Sequence, residues 1–179
     1  MNFARLETIL CDTVKEEQIK LGYEKETIRL YYPMNSLVNI LEDNIPDTTW
    51  MDKALGEFAD LVQGRLGRIT ISHSGDRYCL LVPPEGAAYV HQVYGSNPFL
   101  EAFINAIRNH ECTLEQLLNI FRSYSDRVVC ERSPVEDFDY VLYFQDGKKD
   151  DYRYCVKFEG GHTTYHRFLR RDYEDLLES

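Results

Sequence analysis

The residue types here that could do chemistry are histidine, cysteine and a few arginines, and their spacing sets what they could do. His162 and His166 form an H-x-x-x-H pair in "HTTYH". At that interval both imidazoles point to one side of a strand or a helix. A zinc ion would need one or two further ligands, and none stands at a characteristic interval. The Glu of an H-E-x-x-H protease is also missing. The pair therefore reads as part of a polar sheet face near an edge, and no metal is expected. "HEC" at 110–112 puts His110 and Cys112 beside a helix end. A Cys–His nucleophile requires the two to converge in space. A helix terminus with His110 near the negative end of the dipole is the simpler reading. "FEGGHTT" contains a Gly-Gly pair that suits a turn between strands. It lacks the additional glycines, the following helix and the Lys of a phosphate-binding loop. No catalytic residue and no cofactor is expected from these motifs.

Arg68 and Arg77 raise a different chemistry, contact with a phosphate backbone. Both lie within "RITISHSGDRYCLLVPPEG", residues 68–86. A two-residue Ser74-Gly75 loop predicts His73 opposite Asp76, Ile71 opposite Tyr78 and Ile69 opposite Leu80. The apolar pairs then share one face, as cross-strand pairing requires. The segment follows a helix, short strand, helix, helix series, which is the order of a winged helix. In that fold a reading helix offers Arg, Lys, Asn or Gln to base edges. Here the third helix and its ends, residues 47–65, hold Lys53 and Arg65 against Asp47, Asp52, Glu57 and Asp60, a net charge of −2. Fold does not carry function by itself, and this charge balance disfavours DNA. Protein binding or dimer formation suits such a module equally well.

These residues need elements to hold them. Phe3, Leu6, Leu10, Val14 and Leu21 recur at helical spacing and predict a helix over 3–21, capped by Asn2 and stopped by Gly22. Ile28, Leu30 and Tyr32 alternate and predict a short strand ended by Pro33. Leu37, Ile40 and Leu41 mark a helix over 34–43. Met51, Leu55, Phe58 and Val62, with Ala54 and Leu61 filling in, mark the buried stripe of a third helix through about 63. After Pro83-Pro84 a helix is expected to Tyr94. "GSNP" at 95–98 is a turn and the expected boundary of two sub-domains, 1–95 and 96–179, sharing one core. Phe99, Leu100, Phe103, Ile104 and Ile107 mark a further helix. Thr113-x-x-Gln116 fits a capping box ahead of Leu114, Leu117, Leu118 and Phe121. Beyond residue 126 the period changes from helical to alternating. "RVVCER", "FDYVLYF", "YRYCVKFE" and "HTTYHRF" predict a four-stranded antiparallel meander, with "QDGKKDD" as a polar hairpin loop and "RRDYEDLLES" as a closing helix. The expected fold class is α+β: winged-helix-like helices plus a β-hairpin, then helices packed on the meander.

Composition narrows the function classes. The chain has 179 residues, 44% hydrophobic and 28% charged, ordinary for a globular protein. No apolar run approaches the ~20 residues of a membrane span. "MNFARLETILCDTVKEEQ" carries acids early and has no uninterrupted apolar core, so a signal peptide is not expected. Five cysteines, at 11, 79, 112, 130 and 155, form no C-x-x-C pair. Reduced thiols in the cytoplasm are the expectation. The net charge is −10, with −5 in residues 1–90 and −5 in the remainder. Such a chain repels phosphate at long range and favours a basic partner or none. Thirteen Tyr and nine Phe fall largely on the predicted strands. Their expected place is the packing of the meander against helices 97–109 and 113–125. A half-exposed face with Tyr143 and Tyr165 is a candidate protein contact.

The stretch "EEQIKLGYEKETIRLYYPMNSL" together with "YHRFLRRDYEDLL" resembles a bacterial domain-of-unknown-function family of about this length. The resemblance extends over nearly the whole chain. It implies a bacterial cytoplasmic protein and carries over no catalytic or binding residue. The expected function is that of a non-enzymatic acidic protein, regulatory or immunity-like, that acts by protein binding or self-association. A winged-helix transcription regulator using Arg68 and Arg77, and an enzyme or small-molecule binder with a dispersed site, are the alternatives.

Overall fold

Asn2 starts the first helix: its side-chain oxygen accepts the N–H of Arg5 at 3.0 Å. In this computed structural model, which describes residues 1–22, 26–146 and 150–179, the chain forms two compact units, Met1–Asn97 and Pro98–Ser179. In the first unit, α1 (Phe3–Leu21) buries Leu6, Ile9, Leu10 and Val14 and stops where Gly22 turns left-handed, at φ +71°. Only glycine takes that conformation without a Cβ penalty. β1 (Ile28–Pro33) alternates strictly, with Ile28, Leu30 and Tyr32 inward. α2 (Met34–Leu41) follows directly. Asp47 then caps α3 (Thr48–Leu66) by accepting from Trp50 N at 3.0 Å. β2 (Thr70–Ser74) and β3 (Arg77–Val82) form the hairpin, and β1 joins it on the far side of β3, giving the sheet order β1-β3-β2. This is the winged-helix order of elements. α4 (Pro84–Val93) closes the unit, with proline in its first turn, where a missing N–H costs nothing.

The hairpin register differs from the expected one. Ser74 pairs with Arg77, His73 with Tyr78, Ser72 with Cys79 and Ile71 with Leu80. The two-residue loop is therefore Gly75-Asp76 rather than Ser74-Gly75. Gly75 has φ +60° at the first loop position, the place where a type II′ hairpin turn asks for glycine. The expected loop would have put Ser74 there. Each strand slides by one residue and the two slips cancel in parity, so Ile71 still shares a face with Leu80 and Tyr78.

In the second unit, α5 (Pro98–Arg108) and α6 (Leu114–Tyr124) precede β4 (Val128–Arg132), β5 (Tyr140–Phe144), β6 (Tyr152–Glu159), β7 (His162–Leu169) and α7 (Arg170–Glu178). The strands run in meander order, all antiparallel. Of the "QDGKKDD" loop, residues 147–149 lie outside the described residues. Both halves of the capping box form at Thr113 and Gln116. One sheet face packs on α5 and α6 through rings set edge to face. Phe99 lies 4.9 Å from Phe121, 5.1 Å from Phe144 and 5.7 Å from Tyr154. Such geometry sets the positive edge of one ring on the negative face of the next. Tyr154 is fully buried, yet its hydroxyl donates to Asp150 Oδ2 at 2.7 Å. The opposite face is covered as well: Val141, Cys155 and Tyr173 of α7 form a small core with Val135, Phe138, Tyr143 and Phe168 around it. The meander is thus packed on two sides, which explains why Val141 and Leu142, neighbours in sequence, are both buried.

Candidate functional site

Both histidines of the H-x-x-x-H motif are exposed on β7, an edge strand of the meander. His162 and His166 lie on one face of β7 but four residues apart, about 13 Å along an extended strand, too far to share an ion. Each has another neighbour. The His166 ring centroid is 4.0 Å from that of Phe168. His162 lies 4.3 Å from His110, where the α5–α6 loop meets the β6–β7 turn through Glu111 N donating to Gly161 O at 3.0 Å. So "HEC" and "FEGGHTT" do converge, as a loop contact. Among the described residues no three of His, Cys, Asp and Glu gather as a metal-binding group. Cys112 is buried, and burial pushes its thiol above the ordinary range. A reactive cysteine needs the opposite shift.

The tyrosines also separate. Tyr165 is opposite Val156 on the α5 side of the sheet, with its ring 5.1 Å from Phe103. Tyr143, next to Leu142 in the strand, points the other way and packs at the α7 core, with the Arg153 guanidinium 3.9 Å from its ring centroid. Strand parity places them on opposite faces, so they do not form one contact patch. Among the described residues, nine Tyr and Phe side chains are buried in the core and ten more are half-buried.

The wing and α3 remain. Arg68 precedes β2 at the base of the hairpin, and Arg77 sits beside its turn, so the two are at opposite ends. Arg68 is exposed. Arg77 lies over the exposed Tyr31 ring at 5.4 Å, a cation–π contact that occupies one face of its guanidinium. The wing is tied to the start of α3. Tyr78 donates to Thr48 O at 3.2 Å. His73 stacks on Tyr78, donates from Nδ1 to Gly75 O at 2.9 Å, and has Nε2 3.3 Å from Asp52 Oδ2. Burial and the nearby Asp52 push the Tyr78 hydroxyl up to about 12, so it stays a donor.

α3 itself presents an unexpected surface. Its buried stripe is Met51, Ala54, Leu55, Phe58, Val62 and Leu66. Leu61, expected to fill that stripe, is instead 57% exposed, and Trp50 is 53% exposed. The helical period accounts for both: Trp50, Glu57 and Leu61 fall at i, i+7 and i+11, on a line that runs beside the buried one. That signal was legible in the sequence, because a residue immediately before the buried Met51 lies 100° away from it. Lys53, Glu57, Asp60 and Gly64 are exposed on the same side. Arg65 is bound in a two-pronged ion pair to Glu7 of α1, at 2.7 and 2.8 Å, so its charge is already matched. The solvent side of this helix is therefore acidic with two large apolar groups.

One comparison with known proteins gives a match. The family model described as "Domain of unknown function, E. rectale Gene description (DUF3877)" matches residues 3–177. Neither a curated protein nor a solved structure matches the chain.

Proposed function

The chain belongs to the DUF3877 family, and we propose that it is a non-enzymatic regulatory module that acts by binding another protein. The observation that carries the reading is the solvent face of α3. In a winged-helix module this helix is the one offered to a partner. Here it offers Trp50 and Leu61 amid carboxylates. Tryptophan is enriched at the energetic centres of protein interfaces, while base reading calls for Arg, Lys, Asn or Gln. The even spread of negative charge supports the same reading, since phosphate is repelled by either half of the chain. We place the protein in the cytoplasm, a setting that suits five free cysteines. No described helix is long and apolar enough to cross a membrane.

The test is a pull-down from native bacterial lysate at low and moderate salt, with and without nuclease. A protein retained after nuclease treatment supports the reading. Recovery of nucleic acid alone, lost on nuclease treatment, points to the wing as a DNA contact instead. Complete inertness at both salts counts against binding of either kind.

A further inference from the structure

We infer that the exposed face of α3 is a docking site for a basic amphipathic helix of a partner protein. This rests on the protein-binding reading and names its surface and the chemistry of its partner. The apolar anchors come first. Trp50 and Leu61 are eleven residues apart on one line of the helix, a separation of about 16 Å. A partner helix that lays its own apolar stripe along that line meets both through residues spaced i, i+4, i+7. Neither anchor belongs to the core of the unit, because the buried stripe of α3 lies to one side of both.

Charge then selects the occupant. Glu57 and Asp60 lie between the anchors and are exposed. Of the two basic residues on α3, Arg65 is held by Glu7, and Lys53 leans over the Trp50 ring at 5.8 Å. Lys53 remains exposed, but Glu57 and Asp60 outnumber it, so the charge left facing solvent is net negative. Lysine or arginine beside the apolar stripe of a partner helix is attracted to it, whereas a second copy of this face meets it with the same sign. Two copies of the whole chain each carry −10. A phosphate backbone meets the same repulsion. The surface therefore fits a positively charged helix better than a copy of itself or a duplex.

Trp50 is the single tryptophan of the chain, so its emission reports on this face alone. The experiment titrates the full chain with a synthetic amphipathic peptide of leucine and lysine in heptads. A counterpart with glutamate for lysine, and a DNA duplex, serve as the other probes. We expect a saturable blue shift with the lysine peptide, weakened by salt, and no shift with the other two. Leu61→Ala and the pair Glu57→Lys with Asp60→Lys should each weaken the lysine peptide by about tenfold or more, the loss of one hot-spot contact. Reversal of the exposed Glu136 in the other unit should leave it unchanged. These substitutions are all at exposed positions, and circular dichroism checks that each variant folds. The inference is overturned if Leu61→Ala binds the lysine peptide like the parent chain, or if the glutamate peptide binds as well. It is overturned equally if the duplex shifts Trp50 and the peptide does not, or if Trp50 emission follows protein concentration through dimer formation. A lysate protein still retained by the Leu61→Ala, Glu57→Lys variant would sink this surface and leave the binding reading standing. A parent chain that retains nothing would sink the binding reading itself.

Discussion

Burial decides what the thiols can do. Cys11, Cys112 and Cys155 are buried, while Cys79 and Cys130 are half-buried. Burial pushes the Cys11 thiol from 9.0 up to about 11 and that of Cys155 up to about 12. The thiolate is the reactive form. Ellman's reagent at pH 8 should therefore reach Cys79 and Cys130 well before the other three in the native protein, and all five together in urea. Mass mapping of the labelled peptides checks the order. The same shifts fix a pH dependence. Above pH 9 the unfolded chain releases thiol protons that the folded chain retains, so the unfolded state binds fewer protons and stability falls as pH rises. The loss begins near the unfolded value of 9.0 and continues toward the folded values of about 11 and 12. Urea midpoints should be level from about pH 7 to 8 and decline above pH 9, with a shallower decline in Cys155→Ala; a midpoint that climbs over that range would contradict the assignment. Gly86 gives a third residue-scale outcome. A Cβ there would run into the Leu66 carbonyl oxygen and lie 2.8 Å from Val82 Cγ1. The neighbours are backbone and core, so Gly86→Ala should destabilise by roughly 1–3 kcal/mol in urea unfolding, the usual cost of overpacking.

At the scale of elements, α3 has a cost that its own fold does not require. Gly56 and Gly64 are interior to the helix, neither has positive φ, and a Cβ at either meets nothing within 4 Å. Alanine is favoured over glycine in a helix by about 0.8–1 kcal/mol. Gly56→Ala and Gly64→Ala should each raise the urea midpoint by an amount of that order. If a partner helix comes close to the backbone of this face, the same variants should weaken the Trp50 response to the lysine peptide. Helices, strands and the winged-helix order were readable from the sequence because apolar period and caps are local: Asn2 and Thr113 each accept the helix N–H that their position predicts. Pairing across space was less readable. The hairpin loop moved by one residue because the φ of Gly75, rather than the best apolar match, selected the turn. The sharing of a face by Tyr143 and Tyr165 failed because 143 and 165 belong to strands whose register sets the parity, and no local pattern in β5 or β7 contains that register. α7 was legible as a helix, but its role as cover for the second sheet face rests on Tyr173 meeting Val141 and Cys155, a contact between segments about twenty to thirty residues apart.

For the whole molecule, shape and charge point to different partners, and the conflict can be tested directly. The order of elements in the first unit is that of folds that lay a helix into a DNA groove, whereas the chain is acidic throughout, with −5 in each half. Long-range attraction to a duplex scales with phosphates neutralised, each contributing about −0.9 to the slope of log K against log salt. With carboxylates on the presented helix that number is close to zero for the parent chain, so no mobility shift with duplex DNA is expected even at low salt. Changing Glu57 and Asp60 to lysine takes residues 47–65 from a net −2 to +2 without altering a buried side chain. If acidity alone keeps this winged-helix shape off DNA, the variant should gain weak, sequence-independent duplex binding that falls steeply with salt while losing the lysine peptide. Exchange of one ligand class for the other would show that the fold is permissive and the carboxylates of α3 choose the partner. Loss of the peptide with no gain of DNA would mean that the geometry of the wing, with Arg77 engaged on Tyr31 and His73 beside Asp52, also bars the groove.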